Sequence, residues 1–203
     1  MDTQNNVSYI VGFLSDLLDN LSSGPPASLN LSTKDGAQAY FRWQGGYAGA
    51  APTGSSGIVA NGTYKIIARH SGKALDATGN ATTNGTQIIQ WTYGGGNNQR
   101  WTVAARGGGE YSIIGVQSGR CLEISGSGTA NGTKVQLWDY LGGNNQKHFF
   151  GPTSSGNYRI QPAHLNAAGS CLDVSGASTA DGALVQLWQW LDGNNQQWSF
   201  QAP

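Results

Sequence analysis

One phrase is written three times in this 203-residue chain: Trp91-Thr-Tyr-Gly-Gly-Gly-Asn-Asn-Gln99, Trp138-Asp-Tyr-Leu-Gly-Gly-Asn-Asn-Gln146 and Trp188-Gln-Trp-Leu-Asp-Gly-Asn-Asn-Gln196. A repeat constrains architecture before any local reading does, because one copy cannot bury its apolar face alone. The surrounding residues keep the same period. Tyr64, Tyr111 and Tyr158 recur 47 residues apart, and the tryptophans are spaced by 47 and then 50. The extra residues of copy three fall between Tyr158 and Cys171, around His164.

Each copy reads as four short strands. A Tyr-x-Ile segment leads through a turn to Ala74-Leu-Asp76, Cys121-Leu-Glu123 or Cys171-Leu-Asp173. Asn84-Gly, Asn131-Gly and Asp181-Gly then mark hairpin turns. A third strand carries the tryptophan, and a loop rich in glycine leads to a fourth. Twelve strands in three copies predict an all-β fold, a β-trefoil of three ~47-residue repeats over residues 60–203. A three-bladed propeller is the competing arrangement, and propellers carry four or more blades. Trp101, Trp198, Leu75, Leu122 and Leu172 are expected in the shared core.

The segment before the repeats has a different pattern. Val7, Ile10, Val11, Leu14, Leu17, Leu18 and Leu21 follow the spacing of an amphipathic helix over residues 1–24, ended by Gly24-Pro25-Pro26. Such a helix is marginal alone in water and needs a partner surface, and residues 7–21 could supply a homo-oligomer contact. Its polar face lacks Lys and Arg, which argues against a membrane anchor. Residues 25–59 read as a hairpin followed by a Gly/Ala/Ser linker.

Bulk composition excludes several functions. The formal net charge is zero and only 11% of residues are charged, so no basic surface points to nucleic acid. No apolar run is long enough to span a membrane, so no membrane insertion is expected. His70, His148 and His164 have no metal-ligand spacing, and no cofactor is implied. Two cysteines, Cys121 and Cys171, occupy equivalent places in different copies and are expected to be apart and reduced.

The repeat supplies what a sugar ring needs. A pyranose presents an apolar C–H face to an aromatic ring and a rim of hydroxyls to fixed donors and acceptors. Asp76, Glu123 and Asp173 are the candidate carboxylates, and charge-assisted bonds to hydroxyls are the stronger sort. Trp91, Trp138 and Trp188 are the candidate platforms. Tyr93, Tyr140 and Trp190 lie two residues on and are expected on the same strand face. Asn98, Asn145 and Asn195 supply an amide that both donates and accepts, with Gln99, Gln146 and Gln196 behind. The bland alternative is that these amides only staple loops.

These motifs resemble the ricin B-type lectins and family 13 carbohydrate-binding modules, which are marked by a threefold Gln-x-Trp. Here it stands as Gln99-Arg-Trp101 and Gln196-Gln-Trp198, with Gln146-Lys-His148 departing from it. The family's Gln-Leu-Trp stands as Gln136-Leu-Trp138 and Gln186-Leu-Trp188, whereas copy one has Ile89-Gln-Trp91. The resemblance implies up to three shallow sites, often for galactose or N-acetylgalactosamine, and non-catalytic binding of glycans or polysaccharide. Copy three is complete in Asp173, Gln186, Trp188, Asn195 and Gln196. Copy one has lost a glutamine, and copy two has Glu123 for aspartate and His148 for tryptophan. The expected order of occupancy is three, one, two. The family's usual disulfide has no second cysteine here. Such a function suits an extracellular setting, although no signal peptide is visible. The alternative is a module that targets a polysaccharide-degrading enzyme, with the linker as its tether. A third reading is a protein-interaction trefoil with inactive sugar sites.

Overall fold

The computed structural model describes residues 59–165 and 169–203. The helix expected over 1–24, its oligomer contact, and residues 25–58 of the hairpin and linker lie outside the described residues.

Short strands separated by Gly- and Asn-rich turns form four elements in each copy. Copy one holds β1 (Gly62–Ala68), β2 (Ala74–Ala77), β3 (Ile88–Trp91) and β4 (Trp101–Gly107). Copy two holds β5 (Glu110–Gly115), β6 (Cys121–Ile124), β7 (Val135–Trp138) and β8 (His148–Pro152). Copy three holds β9 (Tyr158–Pro162), β10 (Ser170–Val174), β11 (Val185–Gln189) and β12 (Trp198–Gln201). The first and fourth strands close into a six-stranded barrel, β1-β4-β5-β8-β9-β12, with β12 returning to β1. The second and third strands form three hairpins, β2-β3, β6-β7 and β10-β11, which cap one end. This is the expected β-trefoil.

The caps are stitched to each other by equivalent bonds. Gly85 N donates to Leu137 O and Leu137 N to Thr86 O, and the pattern repeats from Gly132 and Thr133 to Leu187 and from Gly182 and Ala183 to Gln90. The Asn-Gly and Asp-Gly turns do more than reverse the chain. Asn84, Asn131 and Asp181 accept from the backbone N–H of Asp139, Gln189 and Thr92, the residues after or next to the repeat tryptophan of the neighbouring copy. Gln87 reaches the centre of the cap, where its Nε2 contacts the three equivalent carbonyls of Ile88, Val135 and Val185.

The core lies on the same pseudo-threefold axis. Leu75, Leu122 and Leu172 are fully buried, as are Trp101 and Trp198. Their indole N–H groups donate to the carbonyls of Leu75 and Leu172. Copy two breaks this rule: His148 stands in the tryptophan position, fully buried, with neither ring nitrogen bonded. Burial pushes its pKa down to about 3. Cys121 and Cys171 are free and buried, and burial pushes the Cys121 thiol up to about 12 and the Cys171 thiol further.

Candidate functional site

Pairing across each hairpin decides which side chain faces the carboxylate. Asp173 on β10 is opposite Gln186 on β11, Glu123 is opposite Gln136, and Asp76 is opposite Ile89. Gln186 Nε2 therefore donates to Asp173 Oδ1 at 3.0 Å and Gln136 Nε2 to Glu123 Oε1 at 3.0 Å. Ile89 offers Asp76 no donor.

The Asn-Asn-Gln phrase folds in each copy as a 3-10 turn just before the fourth strand: Asn97–Gln99, Asn144–Gln146 and Asn194–Gln196. A glycine precedes each turn because the second Asn leans back over it. A Cβ on Gly96, Gly143 or Gly193 would lie 2.5–2.6 Å from Oδ1 of Asn98, Asn145 or Asn195. In copy three Asn195 Nδ2 reaches Asp173 Oδ2 at 2.8 Å and in copy one Asn98 Nδ2 reaches Asp76 Oδ2 at 2.9 Å. In copy two the longer Glu123 is taken by Gln136 and Gln146, and Asn145 turns to the carbonyl of Ile124.

Gln99, Gln146 and Gln196 are nearly fully buried and act as loop staples. Their Oε1 atoms accept from the backbone N–H of Gly94, Leu141 and Leu191. Their Nε2 groups donate to the carbonyls of Thr92, Asp139 and Gln189. Each glutamine thus closes the loop that follows the repeat tryptophan. Gln196 also donates to Asp173 Oδ2 at 3.0 Å.

Asp173 has therefore accepted three amide donors. A carboxylate offers about four lone-pair positions, so roughly one remains, on Oδ1. Burial raises the Asp173 carboxyl above its usual range, opposed by the bonds from Gln186, Gln196 and Asn195. Burial raises Asp76 likewise. Around Asp173 lies a cleft of about 420 Å³, lined by Gln186, Trp188, Asn195 and Gln196 and also by Ser175, Gly176, Ala177, Leu191 and Gly193. Leu191 is 63% exposed at the lip, a position where copy one has Gly94. The sequence reading missed the Ser175–Ala177 turn and Leu191. An exposed leucine in a loop otherwise made of Gly, Asp and Asn was the available signal.

Tyr93, Tyr140 and Trp190 lie just beyond the ends of the third strands. β3 ends at Trp91, β7 at Trp138 and β11 at Gln189, so alternation no longer applies beyond them. Each ring instead lies under a cation from the barrel: Lys65 Nζ at 4.8 Å from Tyr93, Arg106 at 4.6 Å from Tyr140, and Arg159 at 5.3 Å from Trp190. Ser112 occupies the copy-two place of Lys65 and Arg159, and its hydroxyl accepts from Arg106 Nε at 2.9 Å, which holds the substitute cation. Among the described residues, no group of three or more His, Cys, Asp or Glu is placed to hold a metal ion.

A family model described as ricin-type beta-trefoil lectin domain-like matches residues 42–138 and 144–203. No curated protein matches the chain. Among solved structures, the chain is similar to a designed threefold-symmetric protein, ThreeFoil, at 38% identity and TM-score 0.67, over 70% of this chain and 99% of that one. It is similar to the exo-beta-1,3-galactanase 1,3Gal43A of Clostridium thermocellum at 32% identity and TM-score 0.65, over 73% of this chain and 32% of that one. It is also similar to the Macrolepiota procera ricin B-like lectin in complex with lactose, at 27% identity and TM-score 0.62, over 72% of this chain and 99% of that one.

Proposed function

The chain belongs to the ricin-type β-trefoil lectin domain-like family, and from that premise we propose that it is a non-catalytic glycan-binding protein whose principal site is the cleft of copy three. One observation carries the reading. Asp173, Gln186 and Asn195 are brought together beside Trp188 in a cleft of about 420 Å³, with one carboxylate oxygen short of donors. A sugar hydroxyl donates to Asp173 Oδ1, an amide from Asn195 or Gln186 orients a second hydroxyl, and the C–H face lies on Trp188. The apolar lip at Leu191 covers the ring edge.

The ligand class is galactose-type, including N-acetylgalactosamine. The family resemblance and the lactose held by the Macrolepiota procera lectin support it. Copy one ranks second, because Asp76 and Asn98 keep their bond and Trp91 is 46% exposed, but Ile89 gives no amide. Copy two ranks third, because Asn145 has turned away to the Ile124 carbonyl and no longer stands beside the carboxylate. Among the lining residues of the copy-three cleft Asp173 is the one carboxylate, whereas glycoside hydrolysis as a rule uses a pair. The galactanase match covers 32% of that chain, so its catalysis is not carried onto this one. Residues 1–24, if they assemble the chain, would multiply weak sites into avidity.

Isothermal titration with lactose and with N-acetylgalactosamine tests the reading. Saturable binding that Asp173→Ala abolishes supports it. Heat-silent titration of both sugars, with no spot on a glycan array, rejects it.

A further inference from the structure

Copy one has a glutamine one residue away from where the repeat places it. Gln90 aligns with Leu137 and Leu187, and all three positions are fully buried. A shift of one residue on a strand turns a side chain to the opposite face, so Gln90 cannot serve Asp76 as Gln186 serves Asp173. Its amide is spent elsewhere. Nε2 donates to Ser178 O at 2.7 Å and Ala180 O at 3.0 Å, and Oε1 accepts from Ser71 Oγ at 2.7 Å. The imidazole of His70 reaches the same Ser178 carbonyl through Nε2 at 2.9 Å. A carbonyl only accepts, so Nε2 carries the proton.

Ser178 ends the 3-10 turn Ser175–Ala177, and those three residues form one wall of the copy-three cleft. The wall is strained. Gly176 has φ 61°, which suits glycine, but Ala177 follows at φ 49°. Alanine is disfavoured in the left-handed region and persists there only where its surroundings hold it. Copies one and two have Asn80 and Ser127 at that position, and their turns have a lighter grip. Gln117 donates to Asn80 O, the counterpart of Ala177 O, and His164 contacts Gly128 O, the counterpart of Ser178 O. Among the described residues, Ser178 alone of these carbonyls takes two side-chain donors.

Resting on the sugar-site reading above, we propose that copy one acts as the support of the copy-three site, with His70 and Gln90 as positioning residues that hold its strained wall through the Ser178 carbonyl. The displaced glutamine of copy one is then a transfer of function across the copy boundary rather than decay.

The test is an NMR titration of the full chain with lactose and, separately, N-acetylgalactosamine, followed at the Trp188 indole N–H. Gln90→Leu installs the residue of the other two copies and should fold. It is expected to raise the Kd about three- to fivefold, the share of one lost hydrogen bond that reaches the site. His70→Ala is expected to do the same. His70→Gln, the residue copy two uses to reach Asn80 O, places a donor at the matching Ala177 carbonyl of the same wall and should restore near-native affinity. Ala177→Gly removes the strain and should recover most of the affinity lost in Gln90→Leu. Native Kd values in both folded Gln90→Leu and His70→Ala overturn the proposal. So does a His70→Gln variant as weak as His70→Ala. Should His70→Ala not fold, Gln90→Leu with and without Ala177→Gly decides. A native chain whose Trp188 resonance never moves with either sugar overturns the sugar-site reading itself and this inference with it.

Discussion

Asp173 is the residue at which binding and folding separate. Asp173→Ala removes the acceptor of three amides, yet Asn195 retains Val174 O and Gln196 retains Gln189 O. Only Gln186 loses its sole acceptor. Gln186 is half-buried and can turn to water, so a cost of about 1 kcal/mol is expected, visible as a lower denaturation midpoint with the fold intact. Sugar affinity should fall more than tenfold by titration. The carboxyl also predicts a pH dependence. Burial holds its folded pKa above the usual 3.8, so the binding form is lost as pH falls through a midpoint higher than that of a free aspartate. An affinity that is flat from pH 7 down to 4 would contradict this. Glu123 offers the converse experiment. Shortening it by one methylene in Glu123→Asp withdraws the carboxylate toward the strand, where Asn98 and Asn195 meet their aspartates. Binding at copy two should rise, read as a new saturable shift of the Trp138 indole.

At the scale of the element, the loop from the repeat tryptophan to the fourth strand is one device used three times. The glutamine closes it from inside, and the glycine lets the second asparagine fold back over the chain. Gly193→Ala would put a methyl 2.6 Å from Asn195 Oδ1. The asparagine must rotate away, so affinity at copy three should drop by about tenfold while stability falls by about 1 kcal/mol or less; a crystal structure with Asn195 unmoved would refute it. This element also shows what the sequence could and could not reveal. Recurrence of Trp, carboxylate and Asn-Asn-Gln made the trefoil and the copy-three cluster legible, because those contacts join residues of one repeat. The staple role of Gln99, Gln146 and Gln196 was not legible as a certainty, since their partners are backbone groups such as Thr92 O and Gly94 N that carry no sequence signature. The cation contacts of Tyr93, Tyr140 and Trp190 were not legible, because these rings lie beyond the strand ends, where alternation gives no direction, and their partners sit on distant barrel strands. Gln90 read as a loss at copy one because its acceptors, Ser178 and Ala180, belong to another copy about 90 residues on.

For the whole molecule, the departure that matters is at the barrel. Trp101, His148 and Trp198 occupy equivalent places opposite Tyr64, Tyr111 and Tyr158. Two of them fill the core with indole and satisfy a carbonyl; the third is an imidazole without a partner. Its pKa of about 3 in the fold, against an ordinary 6.5, is due first to burial and then to His164. Below pH 6.5 the unfolded chain takes up a proton that the folded chain refuses until about pH 3. Stability from this group is therefore complete above 6.5 and falls by about 1.4 kcal/mol per pH unit between 6.5 and 3. Asp76 and Asp173 act in the opposite sense, because burial raises their folded pKa values and protonation near that range relieves the fold. The histidine's own share is read over the two units from pH 6.5 to 4.5, where both carboxyls oppose it. Over those two units the loss is about 2.7 kcal/mol, on the order of 5–10 °C in Tm for a domain of this size. His148→Trp should remove most of that slope. Trp101 and Trp198 already fill the equivalent places in the other two copies. Thermal melts of the native chain and His148→Trp at pH 7 and pH 4.5 read the difference directly. The native Tm should fall by several degrees more than the variant's, and parallel losses in the two would place the acid sensitivity outside His148.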